Sequence, residues 1–243
     1  MTTDGGQRIA TASGAMLADP EFLGNPAPEE LFEPAFWAAR GELLEVAGGR
    51  GAAWFIATTP HQWALRHYRR GGFIARLSQD RYLWCGEKRV RAFAEWRLLA
   101  ELTRRGLPVP RPVAARYQRA GPAYRCDLIT RRISGARPMS AALADAALDG
   151  PTWRAVGATV AQLHAAGVDH ADLNAHNILL DAQRAVSVID FDRGRLRAPG
   201  AWVTRNLSRL HRSLAKISRE LPPDRFAAGA WESFLAGYET RRP

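Results

Sequence analysis

The residues best placed to do chemistry lie between positions 163 and 192. From Leu163 the chain runs L-H-A-A-G-V-D-H-A-D-L-N-A-H-N-I-L-L-D, and from Ile189 it runs I-D-F-D. Asp172 and Asp190 are carboxylates, a type that can accept a proton or bind a hard cation, and Asn177 adds an amide oxygen five residues after Asp172. The apolar runs Ile178–Leu180 and Val186–Ile189 predict two short buried strands, which would gather Asp172 and Asn177 at one end of a hairpin. A plain polar turn is the competing account, because aspartate and asparagine favour turns. His164, His170 and His176 raise the thought of a metal cluster, but no cysteine completes a zinc set. His170 is grouped with Asp172 as a candidate catalytic residue, its expected part being to brace the loop.

Elements that must position these groups can be read on either side. Residues 1–35 are rich in Gly, Ala, Pro and acidic residues and predict a loosely ordered arm. Short apolar runs broken by glycine predict strands near Leu43–Ala47, Ala53–Thr58 and Trp63–Tyr68, with a turn at Gly48–Gly51. Residues 87–105 predict a helix with Phe93, Trp96, Leu99 and Ala100 on one face and Gly106 as its stop. Leu107-Pro-Val-Pro-Arg-Pro-Val113 cannot be helical and predicts an extended entry to a strand, followed by another strand over 123–130. After Gly135 the pattern is mainly helical. Residues 204–219 form an amphipathic stretch, with Leu207, Leu210, Leu214 and Ile217 on one side and Arg205, Arg209, Arg212, Lys216 and Arg219 on the other. The expected fold class is α+β and bilobal. A strand-rich N-lobe spans 36–133, a mainly helical C-lobe spans 134–243, and a cleft lies between them.

The 243 residues suffice for a sizeable core. Net charge is +10, unevenly placed: residues 1–60 carry −5 and the remainder +15. Such a field attracts polyanions without choosing among nucleotides, nucleic acid, anionic lipid or a phosphorylated glycan. Cys85 and Cys126 form no C-x-x-C pair, which argues against a zinc site or disulfide framework and suits a reducing compartment. No apolar stretch reaches the roughly 18 residues of a membrane span, and the first residues lack the pattern of a signal peptide, so a cytoplasmic location is expected.

The segment around Asp172 resembles the catalytic core of the protein-kinase-like superfamily. Its H-x-D-L-x-x-x-N loop corresponds to His170, Asp172, Leu173 and Asn177, and its D-F-G aspartate to Asp190. The resemblance implies ATP-dependent phosphoryl transfer, in which the protein mainly positions groups and neutralises charge. It implies Asp172 as the base that meets the attacking hydroxyl, with Asn177 and Asp190 as ligands of Mg2+. Upstream, Gly48, Gly49 and Gly51 would cover the nucleotide phosphates. Arg66 stands where the superfamily has a phosphate-binding lysine, with Arg69 and Arg70 nearby, and Glu95 would be its ion-pair partner. Arginine in that place is a departure, since it offers a planar fork rather than a point charge. Ala171, Asn174 and Asp192 also depart from the pattern, and little chain remains for a peptide-docking lobe.

Arg66-His-Tyr-Arg-Arg-Gly-Gly72, Leu107-Pro-Val-Pro110, Asp172–Leu179 and Ile189–Gly194 together resemble the 3-deoxy-D-manno-octulosonic acid (Kdo) kinases of lipopolysaccharide core synthesis, over roughly residues 40–220. This similarity implies a lipid-linked anionic sugar as acceptor, phosphorylated on the 4-hydroxyl of Kdo. It also implies peripheral residence at an anionic membrane surface, the cytoplasmic face of an inner membrane. Neither a nucleic-acid partner nor an obligate protein partner is expected. Two alternatives stay open from the residues alone: a kinase for another core sugar such as heptose or for a small alcohol, and a non-catalytic, basic, kinase-like binding module.

Overall fold

The computed structural model describes residues 2–3, 6–22, 29–47, 53–69 and 80–241. The chain divides into two compact units, Met1–Glu101 with Pro110–Ser134, and Leu102–Val109 with Gly135–Pro243.

In the first unit the elements are β1 (Thr2–Thr3), β2 (Gly6–Ala10), β3 (Gly14–Ala18), α1 (Pro34–Ala39), β4 (Leu43–Ala47), β5 (Ala53–Ala57), β6 (Gln62–His67), β7 (Tyr82–Leu83), α2 (Arg91–Arg104, whose residues from Leu102 on are counted in the second unit), β8 (Pro112–Ala120) and β9 (Ala123–Arg131). Among the described residues the strands form one sheet in the order β1-β2-β3-β8-β9-β6-β5-β4, with β7 added beside β9. Alternate positions of β6 turn Trp63 and Leu65 inward, where they join Ile56, Val113, Ala114 and Ile129 over Leu31, Phe32 and Trp37. Helix α2 buries Phe93, Trp96, Leu99 and Leu102 at three-residue steps; Ala100, expected on that face, is only partly buried. Gly106, with φ of +69°, ends the helix. Its N–H bonds to the Thr103 carbonyl at 2.9 Å and the next N–H, of Leu107, reaches back to Leu102 at 3.0 Å. That is the paired closure a left-handed glycine permits.

The expectation of a loose arm at the N-terminus is corrected here. Residues 6–18 hold a strand pair, and β3 pairs with β8 along its whole length. Ala15, Met16, Leu17 and Ala18 are fully buried. Two glycines that suggested looseness are points of close approach instead: a Cβ at Gly6 would lie 2.2 Å from the Trp96 ring, and one at Gly14 would lie 2.2 Å from the Tyr117 carbonyl.

The second unit contains β10 (Arg137–Pro138), α3 (Met139–Asp145), α4 (Gly150–Ala165), β11 (Val168–Asp169), β12 (Ile178–Leu180), β13 (Val186–Val188), β14 (Arg195–Leu196), α5 (Trp202–Glu220) and α6 (Ala230–Glu239). Asp149 caps α4 by accepting the Thr152 N–H at 2.9 Å. Helices α4 and α6 meet at glycines: a Cβ at Gly157 or at Gly237 would sit 2.0 Å from a carbonyl oxygen of the other helix, so only glycine allows that approach. Strands β12 and β13 form the expected antiparallel hairpin, with Ile178 opposite Val188. Helix α5 buries Trp202, Asn206, Leu210, Leu214 and Ile217. Leu207, expected in that stripe, is only partly buried, and Asn206 occupies the inward position instead.

Candidate active site

In the second unit the polar segment folds around His170. This imidazole is buried, its Nε2–H donates to the Ile189 carbonyl at 3.0 Å, and its Nδ1 accepts the Asp172 backbone N–H at 3.2 Å. A carbonyl can only accept and an N–H can only donate, so these two partners fix the neutral tautomer with its proton on Nε2. Burial pushes the His170 pKa down, against the raising effect of the Ile189 carbonyl and the carboxylates of Asp190 and Asp172. The Phe191 ring packs on it with centroids 4.7 Å apart. His170 thus ties the residue before Asp190 to the backbone of Asp172. Both ring nitrogens are thereby spent on backbone groups, which suits a positioning residue.

Asp172 itself is exposed, and its backbone carbonyl accepts from two amides, Asn174 Nδ2 at 3.0 Å and Asn177 Nδ2 at 2.9 Å. Asn174 Oδ1 accepts the His176 N–H at 2.8 Å, closing the turn between them. With the Asn177 nitrogen spent on that carbonyl, its oxygen is the atom left to face a cation. Ile189 N–H donates to the Asn177 carbonyl at 2.9 Å, so the hairpin holds Asn177 beside the approach to Asp190. Asp190 has φ of 62°, the left-handed region that favours glycine. A strain of roughly 1–3 kcal/mol is the usual cost of such a conformation, and it persists where flanking contacts over-determine it. Asp192 is half-buried beside it.

Helix α5 braces this loop from one side. Asn206 Oδ1 accepts the His170 N–H and Asn206 Nδ2 donates to Asp169 Oδ1, each at 3.0 Å. Ser213 Oγ accepts the Ala175 N–H at 3.3 Å. Arg209 Nη1 stands 3.4 Å from Asp172 Oδ1. Sequence reasoning missed these braces. The one signal that could have shown them is a lone asparagine at 206, four residues before Leu210 on the buried stripe.

In the first unit, Arg66 on β6 and Glu95 on α2 form the expected ion pair. The Tyr68 hydroxyl, also missed, accepts from Arg66 Nη2 at 2.9 Å and donates to the same Glu95 oxygen. Burial, with the Glu95 charge, pushes the Tyr68 pKa well up, so it stays protonated as that donor. Two residues apart at the end of a strand, Arg66 and Tyr68 share a face, and the guanidinium lies 4.6 Å from the Tyr68 ring centre. Gly48, Gly49, Gly51 and Arg70 lie outside the described residues. No group of three or more His, Cys, Asp or Glu gathers as metal ligands among the described residues. Asp190 and Asn177 remain a two-residue candidate set of hard oxygen donors.

Comparison with known proteins covers the same ground. The model of the lipopolysaccharide kinase (Kdo/WaaP) family matches residues 34–238. A protein of Xanthomonas euvesicatoria pv. vesicatoria named 3-deoxy-D-manno-octulosonic acid kinase is 51% identical over 205 residues, which are 84% of this chain and 81% of that one. A protein of the same name from Stenotrophomonas maltophilia is 48% identical over 211 residues, 85% of this chain and 82% of its own. Among solved structures, WaaP in complex with acyl carrier protein superposes with a TM-score of 0.56 at 20% identity, over 91% of this chain and 88% of that one. At that identity the likeness is one of fold.

Proposed function

The chain belongs to the lipopolysaccharide kinase (Kdo/WaaP) family, and from that premise we propose that it transfers the γ-phosphoryl group of ATP to the 4-hydroxyl of a Kdo sugar on a lipid A precursor. The observation that carries the reading is the braced loop, in which one neutral imidazole ties Asp172 to the segment leading into Asp190. Asp172 takes the proton of the attacking hydroxyl as that oxygen bonds to the γ-phosphorus and the bond to ADP breaks. Asn177 and Asp190 would hold Mg2+, which supplies charge neutralisation at the phosphates. Their fit rests on two oxygen donors, the Asn177 amide turned by its bond to the Asp172 carbonyl. Arg66, held by Glu95 and Tyr68, serves as the first unit's ligand for the nucleotide phosphates.

No helix among the described residues is long and apolar enough to cross a membrane. We place the enzyme peripherally at the cytoplasmic face of an inner membrane, where a lipid-linked acceptor is reached from the water side. The test is ATP turnover with and without a Kdo-bearing lipid A precursor, followed by mass analysis of the product. One phosphate added to the Kdo ring is expected. Addition to a heptose or another alcohol instead would replace the acceptor, and a folded, acceptor-indifferent protein would remove the kinase reading.

A further inference from the structure

Beside Asp172, within the second unit, lies a cavity of about 650 Å³ lined by residues that include Asp169, Thr204, Arg205, Asn206, Arg209 and Arg212. That volume falls in the range of small-molecule sites and suits a sugar with its substituents. Arg205, Arg209 and Arg212 follow the i, i+4, i+7 spacing of one helix face, and all three are exposed. Their charge is poorly compensated. The guanidinium groups of Arg205 and Arg212 have no hydrogen-bond or ion-pair partner among the described residues. Arg209 has the 3.4 Å contact with Asp172. Asp169 is already committed, to Arg197 at 3.0 Å and to the Asn206 amide at 3.0 Å. Like charges one turn apart on a helix destabilise it, so the protein alone gains nothing from this arrangement. An anion in the cavity would repay that cost, and guanidinium forks match carboxylate and phosphate oxygens.

We propose that this cavity is the acceptor's anion-binding subsite, in which Arg205, Arg209 and Arg212 hold a phosphate or the carboxylate of the sugar acceptor while its hydroxyl meets Asp172. The inference rests on the reading of Asp172 as the base of a Kdo kinase. Arg209 is the hinge of the arrangement, because it reaches both the cavity and Asp172. Acceptor and carboxylate are thereby aligned by one side chain.

The probe is a deacylated, water-soluble Kdo-bearing disaccharide, used with its phosphates, without them, and with the Kdo carboxylate esterified. Binding is measured calorimetrically without ATP, and KM and kcat are measured with it. Arg205→Gln or Arg212→Gln should raise the acceptor Kd about tenfold, the loss expected for one charge-assisted hydrogen bond, and the triple Gln variant should raise it roughly a hundredfold. Lys216→Gln with Arg219→Gln removes charge from the same helix outside the cavity and should leave acceptor binding within about twofold. The anionic group that the arginines read is the one whose removal makes wild type and triple variant bind alike. If neither removal does so, the subsite is wrong. A second arm is co-sedimentation with anionic vesicles: equal loss by both variants, with the soluble acceptor's KM unchanged in the triple, would assign the face to a membrane surface and overturn the proposal. Normal transfer by wild type with an unaltered acceptor KM in the triple sinks the subsite alone. No transfer by folded wild type to any Kdo acceptor sinks the acceptor assignment and the subsite with it.

Discussion

Two arginine–carboxylate pairs, one in each unit, are built to opposite specifications. In the first unit Glu95 is only 2% exposed at its side chain and Arg66 24%, and a tyrosine hydroxyl shares the carboxylate. In the second unit Arg209 and Asp172 are 48% and 58% exposed and stand 3.4 Å apart. A buried carboxylate left without its partner is costly, whereas an exposed pair contributes little because water replaces either partner. The first arrangement suits a part that must not move. On the proposed reading, the second suits a carboxylate that accepts a proton and an arginine that exchanges partners during turnover. The contrast teaches that exposure, more than the identity of the paired residues, separates a pair held in place from one open to exchange with water.

The largest effect expected is on turnover. Asp172→Asn should lower kcat by roughly 10²–10⁴-fold, while thermal melting stays near wild type because the exposed carboxylate supports little of the fold. A variant that melts early with near-normal kcat would invert the comparison. Glu95→Gln should do the reverse in stability, costing about 3 kcal/mol at the low end for a broken buried pair, read as a lower urea midpoint. Arg66→Lys keeps the charge but replaces the guanidinium nitrogen Nη2, which serves both Tyr68 and Glu95, by an ammonium on a different stem, so it should rescue Arg66→Ala only in part. Full rescue would show that a point charge is enough.

Acid should act on the two units with opposite sign. His67 in the first unit contacts Asp127 and Asp80, and its pKa is raised, chiefly by the hydrogen bond to Asp127. His164 in the second unit is buried against Tyr238 and Trp202, and burial pushes its pKa down to about 4. With a folded pKa above the unfolded one, His67 contributes stability fully below about pH 6.5, which is lost as pH rises through its folded pKa. For His164 the unfolded chain binds the extra proton. Stability is therefore full above about pH 6.5 and falls as pH drops toward 4, by on the order of 3 kcal/mol; His170 adds in the same direction. Hydrogen exchange resolved by segment, from pH 7 to pH 4, should show α4 and α6 losing protection before β6 and β9. A uniform loss across both units would remove the distinction.

How far the sequence could be read follows the same physics. The loop from His170 to Asn177 and the Asp190 motif were legible because fixed polar types at fixed spacing leave few alternatives. The hairpin of β12 and β13 was legible because both strands are short apolar runs. The pair β2–β3 was not, because Gly-Ala-Met-Leu-Ala is buried without a period of two and its glycines mark close packing against Trp96 and Tyr117. It also precedes residues 34–238, where the family resemblance lies. Asn206 was legible only as a polar residue on a buried stripe and Ser213 not at all, since nothing in a helical pattern says which loop a polar side chain will meet.

The smallest effect expected is also the sharpest test of the comparison. A double-mutant cycle on stability isolates the coupling between two side chains, provided each single change introduces no new contact. For Arg66→Ala and Glu95→Gln the coupling should exceed about 1.5 kcal/mol, because the buried carboxylate has that guanidinium as a direct partner. For Arg209→Gln and Asp172→Asn it should be less than about 0.5 kcal/mol, the ordinary value for an exposed pair, and it should shrink further as salt rises. The kinetic version of the second cycle should behave differently. With acceptor saturating, Arg209→Gln on the Asp172→Asn background should cost less than on wild type, since aligning an acceptor to an absent base gains nothing. Strong stability coupling at Arg209–Asp172 would make that pair a structural brace like its counterpart on β6. Additive kinetic effects would separate Arg209 from the work of Asp172 altogether.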